Sequence, residues 1–394
     1  MNEKIAIYCP RLTGGGAEKI AGMLSKELSQ YYKDVYFFVL YKKNITYEYG
    51  GQIVDFGFDD IDNKYVGKRK WFKKFIAYLK LPMRMKNRKR ELNISCTISF
   101  LDFPSIINIL SKANDKIIVS IRSPKTPQKS QTHSIRNRLR VFVCHALLKL
   151  FLKRADVVVP ASYGIGEDLT TNFNVSKNKV RVIYNFINID AILNQKNKEI
   201  EEREKNFIEN KFNILCVGRL EEEKNPRTLL TSFAKVAKHF SDVNLIFLGD
   251  GSLRASLIEE TKILGIESKV MFVPYTNNPY KYMSRCDALI VDSLYEGYPN
   301  VIIEAMACSL PVLSVDCFSG PREIIDNMKS YKEKIQGIKC CDKGILFERG
   351  FEEEAITYAI NHKNDLEKMS LNAKMFILKY SNEYIVSEWQ KIIC

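Results

Sequence analysis

Two carboxylates, two cations and a set of glycine-rich turns are the residues of this chain whose types and spacing invite chemistry. Glu296 and Glu304 stand eight positions apart in "YEGYPNVIIEA", the first in a Gly/Pro loop and the second on the helix that follows. Acids so close can act as a hydrolytic acid/base pair, ligate a metal, or simply share a wet surface. Upstream, "GRLEEEKNP" sets Arg219 and Lys224 on either side of an acidic turn. A planar guanidinium and a point-charge ammonium together suit the oxygens of a diphosphate. The alternative is local pairing with Glu221, Glu222 and Glu223, but exposed pairs of that kind contribute little.

Glycines mark the other candidates. In "RLTGGGAEK", Gly14, Gly15 and Gly16 allow backbone N–H groups to approach an anion at the start of a helix, or else make a tight turn. The stretch has neither the G-x-x-x-x-G-K of a P-loop nor the third glycine of the dinucleotide fingerprint. Gly218 and, in "LGDGSLR", Gly249 and Gly251 follow apolar runs and permit close packing on a ligand or within a plain turn. Pro299 suits the start of a helix, and the backbone N–H groups around Asn300 and Val301 would then point at whatever lies in front of it.

Something must hold these groups on one edge. Apolar runs such as "KIAIYCP", "DVYFFVL", "CTISFLD", "KIIVSIR" and "DVVVPAS" recur in the first half. "FNILCVG", "VNLIFLG", "KVMFVPY", "DALIVDS" and "LPVLSVD" recur in the second. Nearly continuous Val/Ile/Leu runs separated by helix-length segments indicate parallel strands covered on both faces. The pattern occurs twice, so the expectation is an α/β chain of two Rossmann-like, doubly wound domains. The boundaries expected are 1–193, a charged linker over 194–211, 212–380, and a terminal helix over 381–394. In such sheets ligands sit beyond the carboxyl ends of strands, and every motif above follows a strand.

Bulk properties exclude some classes. A chain of 394 residues with 46% hydrophobic content and 42 Phe plus Tyr residues is a folded protein, not a disordered one. Its ten cysteines include no C-x-x-C, and four histidines supply no zinc spacing, so neither a disulfide scaffold nor a zinc site is expected and a reducing cytoplasm is. No apolar run reaches the length of a membrane span, and the opening run is too short for a signal peptide. The charge is lopsided: residues 1–200 carry 35 Lys/Arg against 17 Asp/Glu, the remainder 25 against 29. Lys64 to Arg90 hold twelve basic residues and no acid, with Phe72, Phe75, Ile76 and Leu79 on one helical face. That stretch suits an anionic membrane surface or nucleic acid, or a solvated face over an apolar stripe packed on its own domain. A second basic stretch, Arg136 to Arg154, is apolar around so much of its circumference that burial is expected.

The ordered set "GGGAEK", "VGRL" with "EKN", "GDG", "EGYPNVIIEAMACSLPV" and "SGPREII" resembles the family 4 glycosyltransferases, retaining enzymes of the GT-B fold, over essentially the whole chain. The resemblance implies two Rossmann-like domains facing a central cleft, with the terminal helix crossing back to the first. It implies a nucleotide-sugar donor, UDP-linked, and a glycan acceptor, often lipid-diphosphate-linked, as in surface polysaccharide synthesis. Gly15 and Gly16 would face the donor diphosphate and sugar, and Arg219 and Lys224 would neutralise the leaving group. Glu296 would bind the donor sugar, Glu304 the ribose, and Gly297, Pro299, Asn300 and Val301 the diphosphate, with Tyr275 near the base. Where many relatives carry an acceptor-side histidine, "SIRSPKTPQ" offers Arg122 and Lys125, with no histidine before His133. No Asp-x-Asp motif suggests a metal, no cofactor is expected, and nucleic acid is not an expected partner. The expected location is the inner face of the plasma membrane. The competing assignments are a GT-B epimerase or phosphorylase, and a basic nucleic-acid-binding protein.

Overall fold

Hydrophobic runs of four to six residues form the strands and the amphipathic segments between them form the helices that cover both faces. The computed structural model describes residues 3–126, 135–317, 319–328 and 334–393, so His133 lies outside the described residues. Thirteen strands are described: β1 Lys4–Tyr8, β2 Asp34–Val39, β3 Gln52–Asp55, β4 Cys96–Phe100, β5 Lys116–Ile121, β6 Val157–Pro160, β7 Phe212–Val217, β8 Val243–Leu248, β9 Val270–Val273, β10 Ala288–Val291, β11 Val312–Val315, β12 Ile338–Cys341 and β13 Gly344–Phe347. They form two sheets, β3-β2-β1-β4-β5-β6 and β12-β13-β11-β10-β7-β8-β9. Among the described residues only the β12–β13 pairing is antiparallel. Numbered from its own first strand, the first sheet has the doubly wound order 3-2-1-4-5-6 and the second 3-2-1-4-5-7-6, its last two strands forming a hairpin; the order reverses direction between β1 and β4 and again between β7 and β10.

The chain divides into two units. Unit 1 comprises Met1–Asn185 and Asn382–Cys394. Its core includes Ala6, Tyr8, Phe38 and Phe58, and the terminal helix Asn382–Ile393 packs onto the same sheet. Trp389, wholly buried, lies 6.4 Å from the Phe100 ring, and Asn382 Nδ2 donates to Glu27 Oε1 at 2.8 Å. A buried ion pair, Lys89 with Asp115 at 2.8 Å, ties the long helix Gly67–Glu91 to the turn before β5.

Unit 2 is Phe186–Ser381, with a core built from Leu229, Phe233, Phe247, Ile290 and Leu313 among others. The stretch 194–211, expected as a linker, is part of this unit. Its helix Glu202–Ile208 opens with a capping box formed by Glu201 and Glu204, and both Glu204 oxygens accept from Tyr282 Oη at 2.9 Å. Its charges therefore cap and anchor a helix instead of solvating a spacer.

Both basic stretches expose apolar side chains, which departs from expectation only for the second. In helix Gly67–Glu91 the buried residues are Leu81, Met85 and Lys89, while Trp71, Phe72, Phe75, Leu79 and Met83 are exposed. The apolar stripe thus faces outward, with Trp71 and Phe75 stacked at 5.7 Å. Helix Ile135–Phe151, expected to be buried, exposes Val141, Phe142, Val143, Leu147 and Leu150 and buries Leu148. Among the described residues no helix is long and apolar enough to cross a membrane.

Candidate functional site

The point where strand order reverses in the second sheet lies between β7 and β10, and the loops leaving these two strands carry the acid and base candidates. After β7 the chain turns at Gly218 and reaches Arg219. It then makes one 3₁₀ turn over Glu222–Lys224 before the helix Pro226–His239. After β10 it passes through Asp292, Ser293 and Glu296 to the helix Asn300–Ala307. The two loops are joined by a backbone hydrogen bond, Leu294 N–H to Glu223 carbonyl at 2.8 Å. Cys216, Gly218, Arg219, Lys224, Glu296 and Val301 line one crevice.

At its centre Lys224 Nζ lies 2.6 Å from Glu296 Oε1, and Ser293 Oγ donates to the same oxygen at 2.7 Å. Burial pulls the Lys224 ammonium down. The charge and hydrogen bond of Glu296 outweigh that and leave its pKa above the ordinary lysine value. Arg219 is well exposed and pairs with Glu223 at 2.5 Å, so the local pairing considered from the sequence does form for Arg219, while the Lys224 ammonium pairs with Glu296. Glu221 instead fastens the next loop, accepting Ser252 N–H at 2.8 Å and its hydroxyl at 2.6 Å.

Two glycines hold loops of this site against one another. Gly249, at the end of β8, has φ +141°, and a Cβ there would lie 2.1 Å from the Gly218 carbonyl oxygen, so the loops after β7 and β8 touch backbone to backbone. Gly320, with φ +82°, sits where a Cβ would come within 2.7 Å of Pro299 Cδ and 2.9 Å of the Gly297 carbonyl oxygen. The "SGPRE" turn thereby backs the "EGYP" loop. Ser319 Oγ donates to the Glu296 carbonyl at 2.8 Å, and buried Arg322 grips Asp316 through two bonds of 2.9 and 2.7 Å.

The remaining candidates in unit 2 share this sheet edge. Pro299, Asn300 and Val301 begin the helix that carries Glu304, whose buried carboxylate is 3.4 Å from Tyr280 Oη. Tyr275 follows β9, with its ring largely exposed and its N–H donating to Asp250 Oδ2 at 2.7 Å. In unit 1, Gly15 and Gly16 open the helix Gly16–Tyr31 beyond β1, the corresponding place in the first sheet.

Arg122 and Lys125, expected on the acceptor side, are engaged within unit 1. The Arg122 guanidinium donates to Ser120 Oγ at 2.7 Å, the Ile183 carbonyl at 3.1 Å and Asn185 Oδ1 at 3.0 Å. It also lies over the Phe100 and Trp389 rings. Lys125, buried, pairs with Asp102 at 2.6 Å. Both cations are thus already partnered within unit 1. Reasoning from the sequence missed Ser293 and Ser319, which orient Glu296. Both lie in motifs already singled out, but a serine in a loop carries no signal of its own.

With this geometry established, comparison with known proteins adds independent findings. The family model "Glycosyltransferase Family 4" matches residues 14–191 and "Glycosyl transferases group 1" matches residues 197–376. A Campylobacter jejuni N-acetylgalactosamine-N,N'-diacetylbacillosaminyl-diphospho-undecaprenol 4-alpha-N-acetylgalactosaminyltransferase is 29% identical over 372 residues, covering 91% of this chain and 95% of that protein. The C. jejuni alpha-1,4-N-acetyl-D-galactosaminyltransferase named for a diNAcBac-PP-undecaprenol substrate is 25% identical, covering 99% and 98%. Among solved structures, Anabaena HepE in complex with UDP superposes with a TM-score of 0.71 at 16% identity, covering 99% and 98%.

Proposed function

Given that this chain belongs to the family 4 and group 1 glycosyltransferases and has the GT-B fold, we propose that this hexosyltransferase moves a hexose or N-acetylhexosamine from a UDP-linked donor to a saccharide carried on a lipid diphosphate. The observation that carries the donor half is the Lys224–Glu296 pair at the β7/β10 reversal: a cation and a hydroxyl-accepting carboxylate in one crevice, each compensating the other until a donor arrives. Lys224 and Arg219 then turn to the diphosphate, and Glu296 turns to the sugar hydroxyls. The first amides of helix Asn300–Ala307 add their partial positive charge. Glu304 accepts from the ribose.

Breaking the sugar–phosphate bond leaves negative charge on the diphosphate and positive character at the anomeric carbon. Cations and helix amides fixed beforehand stabilise the first without reorganising, and we assign the leaving-group work to them. The acceptor hydroxyl attacks from the face the phosphate leaves, the departing phosphate oxygen takes its proton, and the anomeric configuration is retained. This places the two carboxylates at opposite ends of one donor. A glycosidase pair would instead flank the scissile bond. UDP in the HepE complex and the diphospho-undecaprenol substrates named for the C. jejuni proteins support this choice of donor and acceptor.

The lipid-linked acceptor also accounts for the exposed stripe on helix Gly67–Glu91. Trp71, Phe72, Phe75, Leu79 and Met83 beside lysines and arginines suit insertion into the headgroup region of an anionic membrane, with the protein bound peripherally. Lys224→Ala and Glu296→Ala test the donor site. Each is expected to lose at least about a hundredfold in transfer while keeping the far-ultraviolet spectrum of the parent. Near-normal turnover in both would remove these residues from the mechanism.

A further inference from the structure

The carboxylate proposed to grip the sugar sits on a loop whose own carbonyls are held from two other loops. Beyond β10, the Ser293 carbonyl accepts from Arg349 Nη2 at 3.2 Å and from the Cys317 thiol at 3.4 Å. The Leu294 carbonyl accepts from the same Arg349 nitrogen at 3.2 Å, and the Glu296 carbonyl from Ser319 Oγ at 2.8 Å. Cys317 and Ser319 follow β11, and Arg349 follows β13. Three of the four carbonyls from Ser293 to Glu296 are therefore taken by side chains from elsewhere in unit 2.

Arg349 makes the strongest of these grips, because a charged donor binds an oxygen about twice as strongly as a neutral one. The turn that carries it is fixed on both sides. Before it, Glu348 accepts the Gly337 N–H at 3.1 Å and donates its own N–H to the Gly337 carbonyl at 2.7 Å. After it, the Gly350 N–H donates at 3.0 Å to Glu352, a buried residue that begins the helix Glu352–Asn361. With its base already ordered, the guanidinium loses little further freedom when it reaches the loop. Its charge also opposes the rise that burial, and then Glu352, impose on the carboxyl of Asp292 at the foot of that loop.

What these bonds fix is the carboxylate. Lys224 Nζ at 2.6 Å and Ser293 Oγ at 2.7 Å both donate to Glu296 Oε1, which leaves Oε2 to offer to a sugar hydroxyl. When a diphosphate draws Lys224 away, Ser293 is the side-chain donor that stays on Glu296. The place of Ser293 then depends on the bonds to its carbonyl, and Arg349 supplies the charged one.

We propose that Arg349 is a positioning residue for transfer: by holding the Ser293 and Leu294 carbonyls it keeps the Glu296 carboxylate aimed at the donor sugar once Lys224 has turned to the diphosphate. The inference rests on the donor-site reading above. Arg349 acts through Glu296 and touches no substrate.

The test is a double-substitution cycle on the full chain with Arg349→Ala, Glu296→Ala and the two combined. It measures transfer from a UDP-linked hexose or N-acetylhexosamine to a lipid-diphosphate-linked saccharide, and UDP binding by calorimetry. Arg349→Ala is expected to lose between about tenfold and a hundredfold in kcat and to bind UDP no more weakly than the parent. Added to Glu296→Ala it should bring no further loss, since both substitutions remove the same aimed carboxylate. A merely structural role would weaken UDP binding and multiply with Glu296→Ala. Losses that multiply in the double variant, or turnover of Arg349→Ala within about threefold of the parent, overturn the inference. Should Glu296→Ala itself turn over normally, the donor-site reading has failed, and hydrogen–deuterium exchange decides the clamp separately. Faster exchange over residues 292–299 in Arg349→Ala than in the parent sustains the clamp, and an unchanged rate refutes it. Arg349→Gln serves the same cycle if Arg349→Ala does not fold.

Discussion

Replacing Glu296 with glutamine should move nucleotide binding and sugar transfer in opposite directions. In the free protein Lys224 Nζ and Glu296 Oε1 are 2.6 Å apart, with side-chain exposures of 29% and 11%. At an effective dielectric of about 20 that separation corresponds to roughly 6 kcal/mol of gross attraction. Desolvation cancels most of it, leaving a net charge-assisted bond of about 1.5–3 kcal/mol. A donor diphosphate must displace this bond to recruit Lys224, so the pair taxes the binding of UDP alone. Glu296→Gln removes the competitor while keeping the shape, and UDP affinity should rise by about tenfold, the equivalent of some 1.4 kcal/mol. Turnover with a UDP-sugar should fall by about 10²–10³, because the carboxylate that grips the sugar hydroxyls in the transition state is gone. Calorimetry with UDP and a radiolabel transfer assay measure the two sides. Weaker UDP binding in the variant, or turnover within about threefold of the parent, would refute the reasoning.

Two further outcomes follow from other parts of the molecule. Lys89 and Asp115 have fully buried side chains 2.8 Å apart, so Asp115→Ala should strand the ammonium, cost about 3–5 kcal/mol and lower Tm by about 10 °C in a thermal melt. Lys89→Met/Asp115→Leu should recover part of that loss, and a single variant no less stable than the parent would contradict the pairing. Trp71→Glu/Phe75→Glu should release the protein from anionic liposomes in a flotation assay while leaving UDP binding unchanged; unaltered flotation would remove the helix Gly67–Glu91 from the membrane account.

Much of the fold was legible because buried parallel strands have a plain signature. All ten apolar runs became strands, β1, β2, β4 to β6 and β7 to β11. The three that escaped lacked it. β3, "QIVD", is an edge strand with both ends exposed, and β12 and β13 are four-residue strands around a tight turn. The charged run 194–211 misled because capping and anchoring glutamates look the same in sequence as solvated ones; only the contact with Tyr282, 78 positions from Glu204, tells them apart. The apolar stripe of the basic helix was visible as a periodicity, but periodicity does not say which face meets the domain. Here Leu81 and Met85 turn inward and Phe72, Phe75 and Leu79 outward.

The candidate site divides in the same way. Glycines, cations and carboxylates at strand ends announced themselves, since their chemistry is local. What they touch did not: Ser293 on Glu296, Gly320 under Pro299 and Asn225 on Asp292 depend on loops brought together by sheet order. The same holds for Arg122, whose place over Phe100 and the terminal-helix Trp389 joins residues far apart in the sequence.

The measurement that bears most directly on the central claim is the anomeric configuration of the product. The purified protein would be incubated with a UDP-sugar carrying ¹³C at the anomeric carbon and a lipid-diphosphate-linked saccharide, and the one-bond carbon–hydrogen coupling read in the transferred residue. The account predicts a new glycosidic linkage with the configuration of the donor. A product of inverted configuration, or labelled sugar released to water with none on the lipid-linked saccharide, would contradict it.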